Sequence, residues 1–258
     1  MQEKRKKMTA RRIMKMKGRE KIAMVTAYTY HQARLADEAG IDAILVGDSL
    51  GMVIYGYPTT LQVTLQDMIR HTQAVANAKP RALIVTDMPI GTYEPSTRDA
   101  VISAIQLARA GAEAVKLEGG TEYTDRVKAI VQAGIPVMGH IGLTPQRHLR
   151  IGGYKQQGKT PQQERQLIQD ALALQEAGAF AIVIEYTNPD VAKKITGKLE
   201  IPTICIGAGP HCDGQVLVLH DLLGITPNPP PFTKQYANLQ ETIKSAIKQY
   251  INDIKRIL

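Results

Sequence analysis

The chain has no tryptophan, only two phenylalanines and only two cysteines in 258 residues. So few large aromatic rings leave little with which to stack the bases of a single-stranded nucleic acid. Two cysteines, Cys205 and Cys212, are too few for a disulfide framework. Cys205 lies in an apolar run and reads as a buried thiol. The segment CIGAGPHC sets His211 beside Cys212 but matches no common zinc spacing. Long apolar runs are also missing: nothing is long enough to span a membrane, and no apolar stretch follows the basic N-terminus as it would in a leader. The expectation is a soluble, cytoplasmic protein with no membrane partner.

The formal net charge of +8 at first suggests a nucleic-acid partner. Its distribution argues otherwise. Residues 1–21 hold ten of the 32 Lys/Arg and two of the 24 Asp/Glu, which leaves 22 bases and 22 acids for the rest. The body is neutral, and a basic segment of this kind reads as a solvated arm or helix face. Nucleic acid is therefore not the expected partner.

Eight apolar runs follow, near 22–27, 43–47, 82–86, 114–117, 137–141, 181–185, 203–206 and 215–219. Helical patterns lie between most of them, over 31–39, 64–77, 97–110, 122–133, 161–177 and 189–198, and a short amphipathic helix over 9–17 runs through Ile13, Met14 and Met16. Four units place Ala-Gly just before a strand, the mark of a helix stop followed by a short turn. Alternating strands and helices predict right-handed βαβ units and a parallel sheet. Eight of them favour a (β/α)8 TIM barrel. Loops 50–63 and 142–160 are long, follow strand C-termini and read as lids. The expected organisation is one barrel domain over 1–258, with a basic N-terminal arm (1–21) and, after the stiff PNPPP stretch, a C-terminal helix (about 236–257). The helix carries Leu239, Ile243, Ile247, Ile251 and Ile254 at helical spacing, ordinary packing against the barrel or a neighbouring subunit.

Five strand ends carry polar residues: Asp48 with Ser49, Asp87, Lys116 with Glu118, His140, and Glu185. In such barrels the C-terminal strand ends form the active site. Asp48, Asp87 and Glu118 end consecutive strands and can share a cation. All-oxygen ligation with room for water and substrate describes Mg2+. The competing reading is that each acid caps a helix or binds turn amides. Lys116 is costly in a buried strand unless paired; it is a structural ion pair, an anion binder or a Schiff-base lysine, the last disfavoured by the neighbouring acids. Glu185 is a general base on a carbon acid or the partner of a loop cation such as Lys155. His140 is a ligand-facing group or a structural hydrogen-bonding one. Residues 153–160, GYKQQGKT, match G-x-x-x-x-G-K-[ST], but no buried strand leads into them, and Thr160-Pro161 reads as a helix start.

Several long motifs in order, among them LVGDSLGMV (45–53), KLEGG (116–120), GHIGLTPQ (139–146), GGYKQQG (152–158) and IGAGPHCDGQVLVLHDLLGI (206–225), resemble the ketopantoate hydroxymethyltransferase family. The resemblance covers about residues 9–226. It implies a barrel of the phosphoenolpyruvate/pyruvate-binding type. It also implies a Mg2+-dependent transfer of a hydroxymethyl group from methylene-tetrahydrofolate to α-ketoisovalerate, giving ketopantoate for pantothenate biosynthesis. By the same resemblance, Asp48, Asp87 and Glu118 are metal-binding, Asp48, Ser49, Asp87 and Lys116 bind the ketoacid, Glu185 accepts the proton, and the protein is a homo-oligomer, in bacteria commonly a decamer. The chain departs from the family pattern at Thr29, where Asp is usual, and at Gln156, where Val is usual.

Overall fold

In the computed structural model, which describes residues 6–256, eight parallel strands close into a barrel in sequential order. They are β1 (Ile22–Thr26), β2 (Ala43–Val46), β3 (Leu83–Asp87), β4 (Ala114–Glu118), β5 (Val137–Gly142), β6 (Ala181–Glu185), β7 (Thr203–Ile206) and β8 (Gly214–Leu217). Every apolar run of the sequence forms a strand. The helices are α1 (Ala10–Met16), α2 (Tyr30–Glu38), α3 (Leu50–Val53), α4 (Leu65–Ala76), α5 (Thr97–Ala110), α6 (Thr124–Gln132), α7 (His148–Ile151), α8 (Pro161–Glu176), α9 (Pro189–Lys198), α10 (Leu219–Leu222) and α11 (Leu239–Arg256). Both long loops turn out to hold short helical pieces, α3 and α7, and 3₁₀ turns at Thr60–Gln62 and Pro145–Arg147.

Local chemistry sets the helix ends. Thr64 and Asp67 form a reciprocal capping box at the start of α4. Thr29 caps α2 by accepting from the Gln32 N–H. An aspartate, the usual family residue, would serve as the same kind of cap, so the departure at Thr29 leaves the helix start intact. The four Ala-Gly phrases place Gly40, Gly111, Gly134 and Gly178 at φ of +98°, +111°, +90° and +101°, the left-handed conformation that ends a helix without a Cβ clash.

Successive strand residues face opposite sides. Ile44, Val46, Ile84, Val115, Leu117, Val137, Ile182 and Ile184 join the core between the sheet and its helices. Ala43, Leu45, Leu83, Val85, Ala114, Met138, Ala181 and Val183 fill the barrel interior. On the interior parity, each sequence changes from apolar to ionisable toward the strand C-terminus: Leu83-Val85-Asp87, Ala114-Lys116-Glu118, Met138-His140 and Ala181-Val183-Glu185.

The basic N-terminal segment differs from the expected solvated arm. Residues 1–5, including Lys4 and Arg5, lie outside the described residues. Beyond them α1 is docked across the N-terminal end of the barrel, where Ile13 is fully buried and joins the interior cluster with Ile22 and Met24. Lys7 Nζ donates to Pro80 O, Ala82 O and Glu113 Oε2 at 3.0, 2.9 and 2.7 Å. Lys17 Nζ meets Thr196 O and Asp213 Oδ2, each at 2.9 Å, and Lys21 Nζ meets Cys212 O at 2.6 Å. Those cations satisfy backbone carbonyls and acids at the barrel's base, a role that a count of charges does not reveal.

Cys205 and Cys212 form a disulfide, with Cα atoms 5.7 Å apart. This corrects the reading of Cys205 as a thiol. The turn between β7 and β8 brings the two within bridging distance.

The chain divides into two compact units, Met1–Val216 with the barrel and Leu217–Leu258. Within the second unit no described residue of α11 is buried. Residue 257, the expected end of that helix, lies outside the described residues. Among the described residues no helix is long and apolar enough to cross a membrane.

Candidate active site

Parallel register brings the ionisable strand ends together. Asp87 pairs in register with Lys116, and Glu118 with His140. Lys116 Nζ lies 2.9 Å from Asp87 Oδ1 and 3.1 Å from His140 Nδ1. His140 Nε2 lies 3.2 Å from Glu185 Oε2, off the axis of a hydrogen bond, and its Nδ1 lies 3.6 Å from Glu118 Oε1. Asp48, just past β2, donates its main-chain N–H to Asp87 Oδ2 at 3.0 Å. Ser49 immediately precedes α3, and its hydroxyl meets the Tyr28 hydroxyl at 2.9 Å.

Asp48, Asp87, Glu118, Lys116 and His140 are all at most 5 % exposed, while the Glu185 side chain is 16 % exposed and the most accessible of the acids. Four carboxylates thus surround one lysine. Burial, then repulsion from Asp87, pushes the Asp48 carboxyl up to about 7. Burial raises Glu185 to about 8 although Lys116 opposes it. Burial, with Asp48 next, holds Glu118 well above its ordinary range. Burial acting alone would lower Lys116, but Asp87, Glu118 and Asp48 reverse this and keep it charged. Burial and then Lys116 drive His140 well below its ordinary value, so it is neutral. A charged lysine between acids is no Schiff-base nucleophile. It is the buried ion pair, and Asp87 is its first partner.

Asp48 and Asp87 suit a hard divalent cation, which takes one or two carboxylates and completes its shell with water and substrate oxygens. Burial and mutual repulsion favour the protonated forms of these acids, and a cation placed among them would favour the charged forms. Among the described residues no group of three or more His, Cys, Asp or Glu is placed to hold a metal ion, so Asp48, Asp87 and Glu118 do not form the three-acid site expected from the sequence. A cation that shares its coordination with substrate does not need one.

The sequence reading missed the residues that hold these acids. Gln146, in the loop after β5, is 3 % exposed and bonded to Asp48, Met88, Glu118 and Tyr93. A glutamine after a proline in a loop carries no periodic signal; its membership in GHIGLTPQ was the available sign. No ion pair joins Glu185 to Lys155 among the described residues. Lys155 instead lines a cavity of about 570 Å3 with Arg150, Tyr154, Gln156, Lys159 and Tyr186, beside the acidic cluster rather than on it. The G-x-x-x-x-G-K-T segment is not a phosphate loop: α7 precedes it, and Thr160 caps α8 by accepting from the Gln163 N–H at 3.2 Å, with Pro161 in the first turn.

The barrel is similar to solved structures of distant sequence. A phosphonopyruvate hydrolase in complex with oxalate and Mg++ superposes with a TM-score of 0.64 at 16 % identity, over 96 % of this chain and 88 % of that one. The 2,3-dimethylmalate lyase, a PEP mutase/isocitrate lyase superfamily member, gives 0.61 at 17 % identity, over 96 % and 87 %. These show the fold. Closer in sequence are two proteins named 3-methyl-2-oxobutanoate hydroxymethyltransferase. The one from Hyperthermus butylicus is 60 % identical over 97 % of this chain and 88 % of its own length. The one from Saccharolobus islandicus is 61 % identical over 97 % and 94 %. The family model of ketopantoate hydroxymethyltransferase matches residues 7–257, and the chain belongs to that family.

Proposed function

We propose that this protein transfers a hydroxymethyl group from methylene-tetrahydrofolate to α-ketoisovalerate, giving ketopantoate, with Mg2+ as cofactor. The carrying observation is the buried pair Asp48–Asp87 set beside Lys116, with Glu185 reached across His140. Its support in sequence, for the hydroxymethyl transfer and the ketoacid, is the set of relatives named 3-methyl-2-oxobutanoate hydroxymethyltransferase.

Asp48 and Asp87 would hold the cation, with Glu118 beside them. When bound, it supplies Lewis-acid polarisation of the ketoacid's oxygen. The remaining work belongs to the chain. The Ser49 hydroxyl and Lys116 hold and neutralise the ketoacid carboxylate. Glu185, raised to about 8 and the most accessible acid, takes the proton from the carbon next to the ketone; a base of that strength is well matched to near-neutral pH. Neutral His140 lies against Glu185 and adds no positive charge that would weaken the base. The carbon freed of its proton then forms a C–C bond to the methylene carbon as the two C–N bonds to the folate break; one water supplies the hydroxyl, and its remaining proton and the one taken by Glu185 return to the nitrogens of the departing tetrahydrofolate. With the donor bound, the loops after β2 and β5 would limit bulk water at the strand ends; without it, solvent returns a proton to the carbon, which is the exchange that NMR in D2O reads.

Proton NMR in D2O tests this. With α-ketoisovalerate and Mg2+ alone, the β-proton signal of the ketoacid should fade, and adding methylene-tetrahydrofolate should yield ketopantoate. Exchange without product would retain the enolisation and reject the donor. Absence of exchange would reject both. Glu185→Gln should slow exchange by about 10²–10⁴-fold while leaving cation binding intact.

A further inference from the structure

Gln146 is tied through both ends of its side-chain amide and through its main-chain N–H. Its amide nitrogen donates to Asp48 Oδ2 at 2.8 Å and to Met88 O at 2.9 Å. Its amide oxygen accepts from the Tyr93 hydroxyl at 2.7 Å. Its main-chain N–H donates to Glu118 Oε2 at 3.0 Å. Tyr93 is 1 % exposed. Its one proton has two acceptors, Gln146 Oε1 as the shorter and the Glu118 carbonyl at 3.1 Å, while its oxygen accepts from the Glu118 N–H at 3.3 Å. The amide cannot turn over, because its oxygen would then face the Asp48 carboxylate and the Met88 carbonyl, two acceptors. Tyr93 stabilises the orientation that is left.

One glutamine therefore bridges an acid past the end of β2 and an acid at the end of β4, strands that are not neighbours in the barrel. In each acid it fixes one oxygen, Oδ2 of Asp48 and Oε2 of Glu118. The third acid is fixed likewise, since Asp87 Oδ2 accepts the Asp48 N–H. We propose that Gln146, oriented by Tyr93, is the positioning residue that fixes Asp48, one of the two acids that would hold a divalent cation, and ties Glu118 in place beside it. Its side-chain amide is taken up by Asp48, Met88 and Tyr93, so it acts through the acids it holds. This inference rests on the reading of those acids as the cation site.

Mn2+ binding to the substrate-free protein, followed by electron paramagnetic resonance, is the test. Outer partners of metal-binding side chains typically contribute about 10–100-fold to affinity. Gln146→Met, close in length but without donors, should weaken Mn2+ binding by about that factor. Tyr93→Phe removes only a hydroxyl and keeps the ring packing, so it retains the fold and should weaken binding in the same direction by less. Unchanged Mn2+ affinity in both variants would overturn the positioning role alone. Failure of the wild-type protein to bind Mn2+ would overturn the cation reading and this inference with it.

Discussion

Lys116 and Asp87 are register partners on adjacent strands, and their side chains meet 2.9 Å apart in the barrel interior. Lys116 is the single lysine among four carboxylates, so it counters more charge than its partner alone carries. Lys116→Met should cost about 3–5 kcal/mol of stability at pH 8, as removal of one member of a buried pair does. At pH 5, where Asp48 and Glu185 hold protons, the loss should be smaller. Urea unfolding at the two pH values measures both, and equal losses would show that charge compensation is not what Lys116 provides.

The raised carboxyls set an unusual pH dependence. Asp48 near 7 and Glu185 near 8 lie above the ordinary carboxylate value of about 4 of the unfolded chain. Between these limits the folded state binds more protons than the unfolded one, so stability falls as pH rises. In the presence of a chelator, unfolding free energy should decline from pH 5 to pH 8, by up to about 1.4 kcal/mol per pH unit for each such group. Millimolar Mg2+ should flatten the decline. A stability that climbs over this range in chelator would contradict the burial of these acids.

Gly142 ends β5 with φ of +91°, and a Cβ there would collide with the Glu185 carbonyl and the Thr187 hydroxyl. Gly142→Ala should destabilise by at least about 1–2 kcal/mol through backbone strain. It should also slow β-proton exchange by about 10²-fold, the usual cost of a displacement near 1 Å. Exchange at the wild-type rate would mean that Glu185 tolerates movement of its own main chain.

Ile13 lies at the opposite end, fully buried among Ile22, Met24 and their neighbours. Ile13→Ala should cost about 2–5 kcal/mol and leave the exchange rate of the folded protein unchanged. Thermal unfolding beside the NMR assay separates the two effects, and a slowed exchange in folded protein would show that the ends of the barrel are coupled.

The strands and most of the site were readable because a barrel writes them in period. Apolar residues on interior parity give way to Asp87, Lys116, Glu118, His140 and Glu185 at the strand ends, and register does the rest. What could not be read depends on loops returning across the mouth or the base. Gln146 and Tyr93 lie outside the strands and meet only in three dimensions. Cys205 and Cys212 are joined through a turn whose path no spacing dictates. Lys7 and Lys17 counted as charge in one dimension and proved to be ligands for carbonyls of distant segments.

Ile13 of α1 caps the base of the barrel, the flanking Lys7, Lys17 and Lys21 tie that segment down, and Leu45, Val85, Met138 and Val183 fill the interior above it. The ionisable strand ends therefore stand on a solid apolar floor rather than over a passage. The low-dielectric ground that raises their carboxyls is laid from the end farthest from the chemistry.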